Sequence, residues 1–125
     1  MVRYKPLKQK EFYKMDLSKF DLVANSEAGA DLTIINPKDD QPTDIVFTFK
    51  GPRSVGFEDA LKKATDKASS ILFLADYCVG WKNVEVDGKV VQFSRENVVN
   101  VLTKYDILYG QCVEFVVDMR NFIKD

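Results

Sequence analysis

Histidine is absent from this chain of 125 residues, and its loss removes more chemistry than any other gap. Without it there is no Ser–His or Cys–His nucleophile pair, no imidazole general base and no ordinary zinc ligand. Cysteine is nearly as scarce: Cys78 and Cys112 are the only two. Both fall in apolar, helix-like patterns, so they read as small buried hydrophobes in a reducing compartment rather than as a disulfide framework. Two cysteines without histidine also fall short of a four-ligand structural zinc site. Net charge is almost missing as well, with 18 basic and 19 acidic side chains giving −1. Such a balance projects no long-range field toward nucleic acid or an anionic membrane. The basic cluster Arg3, Lys5, Lys8 and Lys10 reads as a solvated terminal tail. No run approaches the ~18 apolar residues of a membrane span, and no apolar stretch follows the basic start as a signal peptide requires. A cytoplasmic location is expected. Phosphate-loop, dinucleotide-binding, nucleophile-elbow and CxxC motifs are lacking too, and Asp39-Asp40 lacks the oxygen-rich spacing of a calcium loop. The expectation is a protein that is not an enzyme and carries no cofactor.

What is present is material for a core. Apolar residues make up 46% of the chain, including nine Phe and five Tyr. Residues 1–28 mix polar and aromatic side chains without a sustained period. They are read as an N-terminal arm, part of which is mobile or orders on a partner, ahead of a single domain over 29–125. Leu32-Thr33-Ile34-Ile35 and Ile45-Val46-Phe47-Thr48-Phe49 are β-branched or alternating runs. The Asn36-Pro37 turn and Pro42 between them predict a hairpin. From Phe57 to Val79 apolar residues recur every three or four positions, predicting one long central helix with Ser54 as its cap and Gly80 as its left-handed stop. Trp81 next to that stop is expected to fold back onto the helix end. Asp87-Gly88 predicts a type I′ turn with Val86 opposite Lys89 and Val84 opposite Val91. Ser94 then caps a short helix running through Val98 and Leu102.

The closing segment, Ile107 to Lys124, carries two stripes. Leu108, Cys112, Phe115, Met119 and Phe122 form one; Tyr109, Val113, Val116 and Ile123 form the other. Together they cover more of a helix than one neighbour needs. Either several elements surround this helix, or one stripe is left for another chain. The protein-interaction candidates are accordingly Tyr109, Val113, Val116 and Ile123, joined by Phe47 and Phe49 of the first hairpin. The fold class is α+β, mainly α-helical, with three helices and two small β-hairpins.

Two stretches resemble a known family. The first is Gly29, Leu32, Ile34, Asn36-Pro37, Pro42 and Ile45, leading through Gly51 and Ser54 into a helix. The second is Gly80-Trp81, Asp87-Gly88, Phe93-Ser94 with Glu96-Asn97-Val98, and Leu102, closed by Asn121-Phe122. In order and spacing, over Gly29 to Phe122, this series resembles the tail assembly chaperones of lambda-type siphophages. It departs from them at Lys38-Asp39-Asp40-Gln41, where relatives commonly carry a Thr-Gly turn. The resemblance implies a helper made in the infected host cytoplasm and absent from the mature virion. It would bind the tape measure protein, engage tail tube subunits through a longer frameshifted product, and act as a homo-oligomer without nucleic acid or membrane. A structural virion component, such as a head–tail connector or tail terminator, is the alternative.

Overall fold

The alternation within residues 45–49 builds the middle strand of a sheet. In the computed structural model, which describes residues 14–124, β2 (Gln41–Phe49) lies between β1 (Ala30–Asn36) and β3 (Cys78–Lys82), antiparallel to both. Phe47 and Phe49 share one face, as a period of two requires, and both are wholly buried with ring centroids 6.2 Å apart. Each such burial is worth about 2–3 kcal/mol. The β1–β2 hairpin is present and longer than the sequence runs suggest. Asp40 closes its turn at φ 60°, and its N–H donates to the Asn36 C=O at 2.8 Å. The pairing slips between Thr33 and Ile35, where Thr43 Oγ1 donates to the Ile34 C=O at 2.7 Å.

The expected long helix over 57–79 is three pieces instead: α2 (Phe57–Lys62), α3 (Lys67–Tyr77) and the strand β3. The first break has a local cause. Asp66 is extended, its carboxylate accepts the Ser69 N–H at 2.8 Å, and the Ser69 hydroxyl bonds back to the Asp66 N–H at 3.1 Å. That reciprocal box starts a new helix where the apolar spacing suggested continuation. The second break follows from β2, whose free edge is paired by Cys78 to Lys82. Gly80 therefore sits opposite Thr48 in a strand and stops no helix. Ser54 does not cap α2 either. Its hydroxyl donates to the Gly51 C=O at 2.6 Å, and Gly56, at φ 77°, occupies the cap position. Trp81 packs edge-on against Phe47 and Phe93, and its Nε1–H donates to the Val91 C=O at 3.1 Å. It ties the sheet to the second hairpin rather than finishing a helix.

That second hairpin, β4 (Glu85–Val86) with β5 (Lys89–Val90), turns through Asp87 at φ 52° and Gly88 at φ 77°. Val86 faces Lys89, and the Val91 N–H donates to the Val84 C=O at 2.9 Å, the expected register. α4 (Arg95–Lys104) begins at Ser94, whose Oγ accepts the Asn97 N–H at 3.0 Å. Asn97 turns its amide to the Gln92 C=O, so the cap is one-sided.

The closing helix is also shorter than expected. α5 spans Asp106–Val116, and Asp118 then opens a separate 3-10 turn, Met119–Phe122. Five helices among the described residues stand where three were expected, within the α+β class. None among the described residues is long and apolar enough to cross a membrane.

Part of the expected N-terminal arm is built structure. A 3-10 turn, Leu17–Phe20, leads into α1 (Leu22–Ala28), whose first turn is capped by Asp21. Ser26 is buried, its C=O accepting the Gly51 N–H at 3.0 Å and its Oγ the Arg53 N–H at 3.2 Å. Glu27 accepts the Val55 N–H at 2.5 Å and pairs with Lys50 at 3.3 Å. Residues 1–13 of that arm lie outside the described residues.

Phe122 closes the structure against Gly51. A Cβ at Gly51 would lie 2.5 Å from the Phe122 ring, far inside van der Waals contact. Gly51→Ala should therefore expel Phe122 from its fully buried place and cost about 1–3 kcal/mol, the usual range for overpacking. A urea melt checks this, and an unchanged midpoint would mean that the ring moves aside freely.

Candidate interaction surface

Helix α5 occupies the centre of the question, because it was expected to carry either core or interface. It packs against α3, α4, β1 and the Met119–Phe122 turn. Cys112 and Val116 point inward and are fully buried, while Leu108, Tyr109, Val113 and Phe115 are half-buried against the same core. Within α5 the stripe residues are thus covered by the chain's own elements, whereas Met119 and Ile123 of the same stripes lie beyond the helix and are exposed. At its start, Asp106 forms an ion pair with Lys67, whose ammonium also lies 5.3 Å from the centre of the Tyr109 ring.

The interaction candidates separate accordingly. Phe47, Phe49 and Val116, expected on an interaction surface, are instead sealed in the core, since β2 is covered on its apolar face and α5 turns Val116 inward. They present nothing to another molecule in the folded state. Tyr109 and Val113 show part of their surface. Ile123, beyond the Met119–Phe122 turn, is exposed. The structure does not bring the six together on one surface.

Exposed apolar side chains lie elsewhere. Leu17 (78% exposed), Phe20, Val23, Met119 and Ile123 belong to the two 3-10 turns, α1 and the residue after the second turn. These elements meet where the Lys124 N–H donates to the Lys19 C=O at 3.1 Å and α1 packs on the second turn. In the sequence Leu17 and Phe20 belong to the aperiodic N-terminal stretch, whereas Met119 and Ile123 fall on the two stripes of the closing segment. No periodicity could assign them to one place, because short 3-10 turns leave no repeat to read.

A second feature is a trough of about 460 Å³ between β1 and α5. Leu32, Ile35, Pro37 and Phe115 supply its apolar lining, and Asp40, Glu114 and Asp118 its carboxylates. Gln111 stands across it, with Oε1 accepting the Ile35 N–H and Nε2 donating to the Ile35 C=O, both at 2.8 Å. Asp118 is held down to about 2, first by hydrogen bonds from the Arg120 guanidinium and then by the Arg120 N–H.

Neither thiol is disposed as a nucleophile. Burial pushes Cys78 up to about 11 and raises Cys112 further, keeping both protonated. Among the described residues no group of three or more His, Cys, Asp or Glu side chains is placed to hold a metal ion. No family model, curated protein or solved structure matches this chain.

The depressed Asp118 carboxyl carries a pH signature. A group held below its ordinary 3.8 contributes stability above that value and loses it as pH falls toward about 2. Asp118→Asn should therefore lower the urea midpoint at pH 6 and leave it unchanged near pH 2. Equal shifts at both pH values would assign the effect to packing instead of charge.

Proposed function

We propose that this protein is a tail assembly chaperone of a long-tailed phage, binding the tape measure protein and assisting tail tube assembly without catalysis. The exposed apolar group on the two 3-10 turns and α1 carries the reading: Leu17, Phe20, Val23, Met119 and Ile123 offer contact surface to the apolar face of a client helix. The ordered motif series from Gly29 to Phe122 supports the same reading by resemblance. So does the chemistry of the chain, which has no histidine and keeps both thiols buried and protonated.

A holding chaperone without an energy source gains grip from copy number, because linked weak contacts multiply in effect. A homo-oligomer in the host cytoplasm, with tail tube subunits as later partners and no place in the finished particle, completes the proposal.

Co-expression with the tape measure protein, followed by affinity capture, tests it. Capture is expected from the native chain, and Leu17→Ser with Met119→Ser should reduce it at least threefold without moving the Tm by more than a few degrees, as exposed positions allow. Recovery of this chain as a fixed component of purified particles would overturn the reading.

A further inference from the structure

Among the described residues β1 is an edge strand, and its outer edge is where Gln111 reaches. The carboxamide of Gln111 offers one acceptor and one donor to the N–H and C=O of a single residue, Ile35. A neighbouring antiparallel strand makes the same pair of bonds to each residue of this type. Because main-chain groups alternate sides along a strand, those of Thr33 and Asp31 are directed to the same edge as Ile35. The pairing slip leaves this alternation intact, since the extra residues belong to β2.

The trough beside that edge runs along Leu32 to Asn36, about 14 Å of extended chain at the rise of a strand, and on to Pro37 in the turn. Its lining among the described residues includes three carboxylates and no basic side chain. Asp118 already holds Arg120, but Asp40 and Glu114 are in no ion pair among the described residues. Leu32, Ile35, Pro37 and Phe115 give the apolar contact between these charges.

We propose that this trough binds an extended segment of a partner protein in which apolar residues alternate with lysine or arginine. The segment adds to β1 as an outer strand, displacing Gln111 bond for bond. One set of its side chains covers Leu32 and Phe115, which share the Phe49 side of the sheet, and the other, on long lysine or arginine stems, reaches Asp40 and Glu114. This mode is strand addition at a sheet edge, in which main-chain bonds supply affinity and alternate side chains supply selection. It is separate from the apolar group on the two turns and does not depend on the chaperone reading.

The test uses the full-length chain labelled with ¹⁵N and a capped seven-residue peptide of alternating valine and lysine. Shifts are expected at the amides of residues 31–36 and 111–118. A version with glutamate for lysine, and one with proline at the centre, should each bind at least tenfold more weakly. Asp40→Lys with Glu114→Lys should weaken the lysine peptide about tenfold, since two exposed attractions become repulsions. Gln111→Ala should tighten it at least threefold, because no bonds to Ile35 need be broken first. The proposal is overturned by shifts centred elsewhere, by equal binding of the lysine and glutamate peptides, or by weaker binding to Gln111→Ala. Absence of saturable binding at millimolar peptide also overturns it. So does perturbation of the same amides when the chain alone is concentrated, which would make a second copy the occupant.

Discussion

Strand β2 has to satisfy two demands at once, and the rest of the molecule is arranged around them. Its main chain needs partners on both edges, and its inward face must bury Phe47 and Phe49 completely. β1 meets the first demand through a local hairpin, and β3 meets it from about thirty residues further along the chain. The second draws in α3, α4 and α5, whose Leu74, Val98, Leu102, Cys112 and Val116 form one cluster with the two rings. Four exposed or partly exposed ion pairs among the described residues decorate this arrangement, and such pairs contribute at most about 1 kcal/mol each. Apolar burial, not surface charge, sustains the fold.

Polar fastening serves a different purpose: it attaches the chain's outer segments to that centre. Ser26 and Glu27 hold main-chain groups of Gly51, Arg53 and Val55, so α1 is anchored on the turn after β2. Phe122 lies over Gly51 on the same turn. The residues between β2 and α2 thus receive elements from both sides of the chain. No buried side-chain nitrogen or oxygen among the described residues lacks a hydrogen-bond partner, which fits a segment anchored by many small bonds.

Local chemistry was readable and long-range pairing was not. Asp87-Gly88 announced its turn because two successive positive φ values favour those residue types, and the predicted Val86–Lys89 register follows. The hairpin of β1 and β2 and the Ser94 cap were legible for similar reasons. The division of residues 57–79 was not, because apolar spacing passes smoothly through a break made by Asp66 and Ser69. That aspartate followed three positions later by serine was the available signal, outweighed by periodicity. β3 left no alternating pattern, since its strand character comes from the unpaired edge of β2. The same gap explains the candidate surface. Amphipathic stripes over the closing segment mark what is buried when several elements surround a helix, so they pointed inward to Val116 as readily as outward to Ile123. The trough depends on Gln111 meeting Ile35 across 76 positions, which no local pattern encodes.

The β4–β5 ribbon has an implication of its own. Among the described residues nothing lies within 4 Å of where a side chain at Gly88 would begin, and neighbouring Val90 is 70% exposed. Extra mass at this tip would project into solvent, while the bond from Trp81 to the Val91 C=O and the buried Val84 side chain keep the base of the ribbon against the core. Evolution or an engineer can lengthen the chain there, adding an epitope or a second binding module, at the modest entropic cost of a longer surface loop.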